Sequence, residues 1–180
     1  MTLNCNGQLI DLNTPKIMGI LNLTPDSFYD GGKYIDVENA IIQTEKMLLD
    51  GATFIDIGAC SSKPGAKEIS EEEEAKRLFP VLEKLVRKFP LTLFSIDTCR
   101  SQIADESLKI GACMINDISG GKFDSKLMEV VGNHSAPYVL MHMKGTPKNM
   151  QANPKYDDII QEVLYYFSEK VQEAYGHGIN

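Results

Sequence analysis

The sequence predicts an α/β fold in which helices pack on the outside of a parallel sheet. Short apolar segments alternate with longer amphipathic segments five times in order, which is typical of successive βα units. The chain has 180 residues. At roughly 100–200 residues per domain, this length predicts one domain over residues 1–180.

A small N-terminal hairpin is expected before these units. The segments 3–5 and 8–10 flank Asn6-Gly7, the dipeptide that most strongly indicates a two-residue hairpin turn. The predicted strands that follow cover residues 16–21, 53–57, 91–96, 112–115 and 138–141. The predicted helices cover residues 37–49, 101–110, 125–131 and 157–175.

One further helix is predicted between the second and third of these strands. Ser70 is its N-cap, and Glu73 lies three residues later, as in a capping box. The acidic run 71–74 suits a helix N-terminus, where negative charge faces the positive end of the helix dipole. Pro80 is expected to break or restart this helix.

Composition and charge exclude several classes of function. Eighteen Lys and Arg against 25 Asp and Glu give a net charge of −7, which disfavours nonspecific nucleic-acid binding. No apolar run reaches the roughly 18 residues of a membrane span, and the N-terminus does not resemble a secretory signal. We expect a cytoplasmic protein with neither nucleic-acid nor membrane partners, whose four cysteines are buried reduced thiols. The three histidines form no close-ligand pattern for zinc.

Each predicted strand carries a polar side chain at or near its C-terminal end. These side chains are Asn22, Asp56, Asp97, Asn116-Asp117 and His142. Ligands of parallel α/β sheets bind at the C-terminal strand ends, so a shared binding face is expected. The alternative is a set of unrelated helix caps, with Asp97 capping the helix that follows it.

The residue types indicate what this face would bind. Paired carboxylates and carboxamides suit the edge of a flat, nitrogen-rich heterocycle, and adenine or guanine less specifically. Asp97 would hold ring N–H donors or stabilise a positive charge that develops during reaction. Asn22 would offer an oxygen to Mg²⁺, which accepts few protein ligands and keeps its waters.

Two loops add to this prediction. Ser61 and Ser62 with Lys63 combine hydroxyls and a cation that would grip phosphate oxygens, although the same residues also fill ordinary loops. The segment 22–32 is longer than the roughly 2–6 residues of a plain βα connection. It is therefore expected to be a mobile active-site loop.

These residues resemble the dihydropteroate synthase family. The first signature lies at residues 18–28 (MGILNLTPDSF), followed by the Asp-Gly-Gly at 30–32. The later motifs lie at residues 56–58 (DIG), 61–66 (SSKPGA), 95–98 (SIDT), 115–121 (INDISGG) and 141–147 (MHMKGTP) with Met150. The resemblance runs in order over nearly the whole chain.

The resemblance implies a (β/α)₈ TIM barrel, of which this chain supplies the hairpin and about five βα units. It also implies a reaction. The family joins 6-hydroxymethyl-7,8-dihydropterin pyrophosphate to p-aminobenzoate, with Mg²⁺ assisting departure of pyrophosphate, and so makes 7,8-dihydropteroate for folate biosynthesis. Sulfonamides compete for the p-aminobenzoate pocket, and the full-length enzyme is expected to be a homodimer.

Carried over to this sequence, the family's motifs assign residues to the metal and the leaving group. Asn22 would contact Mg²⁺ and the pyrophosphate. Ser62 and Lys63 would contact the pyrophosphate from the second loop. Asp30 would join the ordered first loop in the transition state, and Asp56 would support the site rather than do chemistry.

The same motifs assign the two organic substrates. Asp97 and Asn116 would hold the pterin, and Asp97 would also stabilise the developing cation. Met141 and Ile118 would line the pterin pocket. Residues that would form the p-aminobenzoate pocket are Phe28 and Pro64.

Two departures from the family pattern are evident. The usual second-loop sequence Ser-Thr-Arg-Pro-Gly is Ser-Ser-Lys-Pro-Gly at residues 61–65. Because Lys63 lacks the planar fork of Arg, a weaker grip on the oxyanion or a less ordered loop is expected. The second departure is length, since a barrel of this type takes about 250 residues and residues 178–180 only approach a sixth strand.

We therefore expect the N-terminal five-eighths of a longer enzyme, with little or no synthase activity of its own. Three alternatives remain open. One is a pterin-dependent methyltransferase of the corrinoid or methionine-synthase type, against which the first loop argues. Another is a non-catalytic pterin-binding chain completed by a partner. A generic phosphosugar barrel enzyme would rest on fold alone.

Overall fold

The computed structural model describes residues 1–24, 29–30, 34–35, 37–60 and 69–179. Its strands are β1 (Thr2–Cys5), β2 (Gln8–Asp11), β3 (Met18–Asn22), β4 (Tyr29–Asp30), β5 (Tyr34–Ile35), β6 (Phe54–Gly58), β7 (Leu93–Asp97), β8 (Met114–Asp117) and β9 (Tyr138–Leu140). Its helices are α1 (Val37–Leu49), α2 (Glu71–Lys88), α3 (Ser101–Ile110), α4 (Leu127–Asn133) and α5 (Ile159–Gly176).

A five-stranded parallel sheet in the order β3-β6-β7-β8-β9 forms the centre of the fold. Each neighbour in the sheet is the next long strand along the chain, with helices in the crossovers. This arrangement confirms the predicted α/β class and its five βα units. Helices α1 and α3 match their predicted limits. The first four strands of the sheet begin and end one or two residues later than predicted, whereas β9 begins at the predicted residue and ends one residue earlier.

The N-terminal hairpin is also confirmed. β1 and β2 pair antiparallel with Cys5 opposite Gln8, and the turn residues Asn6 and Gly7 have φ of 51° and 84°. Positive φ at both turn residues is the requirement of the turn that Asn-Gly favours, because its twist matches that of the flanking strands.

The two faces of the parallel sheet carry different kinds of side chain. The outer face packs against the helices through buried apolar side chains of alternate residues, among them Leu21, Ile57, Ile96 and Ile115. The inner face carries the intervening residues, because side chains alternate along a strand. Polar side chains on the inner face are therefore presented away from the helices, at the predicted binding face.

The hairpin covers the N-terminal end of this inner face. Cys5 and Ile10 pack with Phe54, Leu93 and Met114 in a second, smaller apolar cluster. The Asn6 side-chain amide donates to the carbonyl of Ala112 at 3.3 Å, which ties the turn to the entrance of β8. The N-terminal end is closed by apolar packing, so the C-terminal strand ends remain as the place for a ligand.

Apolar side chains of the inner face are exposed at both edges of the sheet. Ile20 on β3 is 68% exposed, and Val139 on β9 is 39% exposed.

In the described part of the chain, no helix combines the length and apolar character needed to cross a membrane.

The prediction that Pro80 interrupts a helix is wrong. α2 runs without a break from Glu71 to Lys88 with Pro80 inside it. The physical reason is tertiary packing, since Leu78, Val81 and Leu82 on either side of the proline are buried in the main core. Burial of this apolar stripe outweighs the lost backbone hydrogen bond.

Replacing Pro80 with Ala is expected to raise the free energy of unfolding by about 1–3 kcal/mol, because Ala restores the missing N–H and is a far better helix former. Urea unfolding of the purified protein measures this change. Glu83→Ala, at an exposed position on the same helix, is the control and is expected to change stability by less than about 0.5 kcal/mol. A Pro80→Ala variant less stable than the parent would contradict the prediction.

Candidate active site

Four inner-face positions form one row across the C-terminal strand ends. Asn22 is in register with Gly58, Gly58 with Asp97, and Asp97 with Asn116. Residues in register on neighbouring parallel strands share a face, so three polar side chains and one glycine lie side by side. The structure thus brings together three of the predicted site residues, which lie far apart in the sequence.

Gly58 keeps an open space in the middle of this row. A Cβ at this position would lie 3.3 Å from Asp97 Oδ2 and 3.6 Å from Asn22 Oδ1. Any side chain here would fill the space that these two oxygens border. The row is therefore a cradle lined by oxygen atoms.

A second polar layer lies directly beneath this row. Asp56 is buried and in register with Ser95, whose hydroxyl donates to Asp56 Oδ1 at 2.6 Å. The other oxygen, Asp56 Oδ2, accepts from Asn116 Nδ2 at 3.0 Å. Asp56 thus lies one layer below the row of strand-end side chains and is bonded to one of its members.

Asp97 is held in an environment that favours its neutral form. Burial raises the pKa of this carboxyl to about 7, and repulsion from the carboxylates of Asp56, Glu74 and Asp117 adds to the effect. A carboxyl with a pKa near neutrality readily changes its charge when a ligand arrives. A ligand with N–H donors or a positive charge would favour its ionised form.

A buried ion pair braces the loop after β7. Glu74 in the first turn of α2 accepts from the Thr98 hydroxyl at 2.7 Å and from the Arg100 guanidinium. The other terminal nitrogen of Arg100 donates to the carbonyl of Ile69. This cluster fixes Ile69 against the loop that follows Asp97.

All four cysteines are free, but two are not as buried as predicted. Cys5 and Cys113 are buried, whereas Cys60 and Cys99 are half-buried beyond the ends of β6 and β7. Burial raises the pKa of the Cys60 thiol, and burial with nearby carboxylates raises that of Cys99 to about 12. Neither thiol has the lowered pKa that is typical of a reactive cysteine.

The expectation that all five strand ends share one face needs correction. Asp117 accepts from the backbone N–H groups of Ser119 and Gly121, both at 2.7 Å, and from the Tyr138 hydroxyl, so it organises the turn after β8. The ring of His142 packs edge-on against Tyr166 of α5 at 5.0 Å between centroids. Local turn formation and ring packing satisfy these two side chains.

The alternative role of Asp97 as a helix cap is not observed. The N-cap of α3 is Arg100, which makes no side-chain capping bond. The backbone N–H of Ser101 instead donates to Asp124 Oδ2 at 2.7 Å. Asp97 is therefore available to the inner face.

The remaining predicted site residues fall into two groups. Ile118 and Met141 directly follow β8 and β9, at the same end of the sheet as the row. Asp30 lies in the short strand β4, and its assigned role remains a prediction. Outside the described residues lie Phe28, Ser61, Ser62, Lys63 and Pro64.

Four residues of this region had no role assigned from the sequence. Ser95 and Gly58 lie within the quoted motifs, and two-residue strand alternation places each of them on the inner face. No comparable sequence pattern indicates a role in the site for Glu74 or Arg100. Glu74 was interpreted only as an acidic residue suited to a helix N-terminus, and its buried partner comes from another element.

The model of the family described as "Pterin binding enzyme" matches residues 18–180. The chain belongs to this family. Its inner-face polar row lies at the strand ends, where the sequence predicts that a flat heterocycle binds.

Several relatives of this chain are named dihydropteroate synthase. It is 40% identical over 179 residues to the dihydropteroate synthase of Haemophilus influenzae, an alignment that covers 99% of this chain and 64% of the relative. Its fold superposes on the Yersinia pestis dihydropteroate synthase, solved with a sulfonamide drug, with a TM-score of 0.90 and 41% identity, covering 100% of this chain and 65% of that one.

A third comparison concerns a substrate complex. The Xanthomonas albilineans dihydropteroate synthase, solved with 4-aminobenzoic acid, matches with a TM-score of 0.88 and 36% identity, covering 99% of this chain and 63% of that one. The chain therefore spans just under two thirds of the length of these relatives.

Proposed function

We propose that the complete protein to which this chain belongs is a dihydropteroate synthase. The observation that carries the proposal is the in-register row of Asn22, Asp97 and Asn116 around the open space at Gly58. This row lies in a chain about 40% identical to named dihydropteroate synthases. The substrates would be 6-hydroxymethyl-7,8-dihydropterin pyrophosphate and p-aminobenzoate.

In this proposal Asp97 and Asn116 hold the pterin ring by its edge. The C–O bond between the pterin methylene and pyrophosphate breaks, and positive charge develops on the methylene carbon. The amine nitrogen of p-aminobenzoate attacks that carbon, and the proton it loses goes to solvent. The ionised form of Asp97 stabilises the positive charge in a half-buried site, where such an interaction is stronger than in water.

The residues present are compatible with Mg²⁺. Among the residues that the structure describes, no three His, Cys, Asp or Glu side chains cluster as a protein-only metal site would require. Asn22 Oδ1 instead borders the open space above Gly58. A single carboxamide suits Mg²⁺, which is commonly bound by one or two protein oxygens plus substrate phosphates and water. When bound, the ion would neutralise charge on the departing pyrophosphate.

The remaining parts of the proposal concern segments 25–28 and 61–68. Lys63 with Ser61 and Ser62 would contact the pyrophosphate, and Phe28 with Pro64 would form the p-aminobenzoate pocket, where sulfonamides would compete. Asp30 would join the closed first loop. The complete protein would be a homodimer.

A coupled assay of the complete protein tests the proposal. We expect Mg²⁺-dependent formation of 7,8-dihydropteroate and pyrophosphate, inhibited competitively with respect to p-aminobenzoate by a sulfonamide. Asn22→Ala is expected to raise the Mg²⁺ concentration needed for half-maximal rate by about tenfold. Methyl-folate binding without p-aminobenzoate coupling would replace the synthase by the methyltransferase alternative.

The 180-residue chain alone is expected to make little or no dihydropteroate. Its inner face is exposed at both sheet edges, and it spans 64% of the Haemophilus influenzae relative. Product formation by the purified 180-residue chain at a rate comparable with that of the complete protein would overturn this expectation. Pterin binding without coupling in the complete protein would favour the non-catalytic alternative.

A further inference from the structure

We propose that Asp56 is a positioning residue that fixes the orientation of the Asn116 side-chain amide, so that the site offers an acceptor oxygen and selects a ring with an N–H donor at that point. The proposal deepens the proposed function, on which it depends for the identity of the ring. Its basis is the geometry of three inner-face side chains.

Asp56 is buried on the inner face, and both oxygens of its carboxylate accept hydrogen bonds. It is 5% exposed, and its neighbour Ser95 is fully buried. One carboxylate oxygen accepts from the Ser95 hydroxyl at 2.6 Å, and the other accepts from Asn116 Nδ2 at 3.0 Å. Each oxygen thus has one side-chain partner, and Asp56 cannot turn without breaking both bonds.

The chemistry of these bonds determines which end of the amide faces Asp56. A carboxylate only accepts hydrogen bonds, whereas a carboxamide has one donor end and one acceptor end. Turning the Asn116 amide by half a turn would place Oδ1 against Asp56 Oδ2, two acceptors at about 3 Å with no proton between them. The neighbouring Ser95 hydroxyl already donates to Oδ1 of Asp56, so it does not relieve that repulsion.

Asn116 Oδ1 is consequently left for a ligand. Among the residues that the structure describes, no hydrogen-bond donor reaches this oxygen. Asn116 lies next to Asp97 in the row of strand-end side chains. Two adjacent residues therefore present acceptor oxygens when Asp97 is ionised, and a ring edge that carries N–H donors satisfies both.

The discriminating experiment is a double-mutant cycle in the complete protein. Titration calorimetry would measure binding of 6-hydroxymethyl-7,8-dihydropterin pyrophosphate to the parent, Asp56→Asn, Asn116→Ala and the double variant. An Asn at position 56 can donate to Oδ1 of a turned Asn116 amide, so we expect Asp56→Asn to weaken binding about 10- to 100-fold. In the Asn116→Ala background the same change is expected to have an effect below about threefold.

Ser95→Ala serves as the matched control. It removes the other hydrogen bond of Asp56 but leaves the amide-facing oxygen in place. Its expected effect on binding is below about fivefold. If Ser95→Ala weakened binding as much as Asp56→Asn, and did so equally in the Asn116→Ala background, the layer would matter only as packing and the positioning role would be overturned.

Side-chain amide NMR of the ligand-free protein provides an independent measurement. In the parent, one Nδ2 proton of Asn116 is expected to exchange slowly with solvent because it is bonded to Asp56. Rapid exchange of both protons would overturn the proposal even if Asp56→Asn failed to fold. Equal losses from Asp56→Asn in both backgrounds, or no loss in either, would overturn it as well.

Failure of the proposed function can be distinguished from failure of the positioning role. If the parent did not bind the dihydropterin pyrophosphate, the synthase proposal would fail, and the NMR measurement would still decide the orientation of Asn116. If the parent binds and couples its substrates but the cycle shows no coupling between positions 56 and 116, only the positioning role is rejected.

Discussion

An Asp97→Asn variant is expected to lose turnover by about 10²- to 10³-fold and at the same time to be more stable than the parent at pH 8. The loss follows from the proposed role of the carboxylate in holding the pterin and stabilising the cation. The gain in stability follows from the pKa of Asp97, which burial and three neighbouring carboxylates raise to about 7, well above the usual range of an aspartate.

The direction of the pH effect follows from proton linkage. Because the folded state binds this proton more tightly than the unfolded state, folding stability falls as pH rises from about 4 to 7. Full ionisation of Asp97 would destabilise the folded protein by about 4 kcal/mol at most. Asn carries no titrating proton, so the difference between variant and parent should be small at pH 4 and largest above pH 7.

Thermal unfolding of both proteins between pH 4 and 9 measures this difference. Asp50→Asn, at an exposed position after α1, is the control and should leave the pH profile unchanged. A pH-independent difference between Asp97→Asn and the parent would show that Asp97 ionises normally. Retained turnover in Asp97→Asn would remove it from the proposed mechanism.

The second large effect concerns the buried ion pair between Glu74 and Arg100. Arg100→Ala is expected to lower the free energy of unfolding by about 3–5 kcal/mol, because it leaves a buried carboxylate without its cation. Glu74 is 2% exposed and, among the residues that the structure describes, would retain only the hydroxyl of Thr98 as a side-chain donor. Denaturant unfolding of the complete protein measures the loss.

Two further variants test the cause of this loss. Adding Glu74→Gln to Arg100→Ala removes the unpaired charge and should restore part of the stability. Lys109→Ala breaks an exposed pair with Asp105 and Glu106 and should change stability by less than about 1 kcal/mol. If Arg100→Ala were no more destabilising than Lys109→Ala, the buried pair would have no special role.

The strongest local signals in the sequence predicted the fold correctly. The Asn6-Gly7 turn, the helix at residues 101–110 and the order of the five βα units depend on turn chemistry, side-chain periodicity and strand-to-helix alternation, which neighbouring residues largely determine. Pro80 is a case in which local sequence preference does not predict the structure. Its local helix-breaking preference was outweighed by burial of Leu78 and Leu82, which depends on the rest of the core.

The site shows the same division between local and long-range causes. The ends of the strands are evident in the sequence, so the sequence alone predicts Asn22, Asp97 and Asn116 as site residues. Asp117 and His142 occupy similar places in the sequence, yet the first organises a turn and the second packs against Tyr166. Which way a strand-end side chain faces depends on its neighbours in space.

The sequence by itself therefore determined the α/β class, the order of its elements and the candidate residues at the strand ends. Only the tertiary structure decided the register that aligns Asn22, Gly58, Asp97 and Asn116, and the partners of Asp56 and Glu74. The physical reason is that turns and helix caps form between residues close in sequence. Register and buried pairing, in contrast, join residues up to 60 positions apart and are settled when the strands and helices pack.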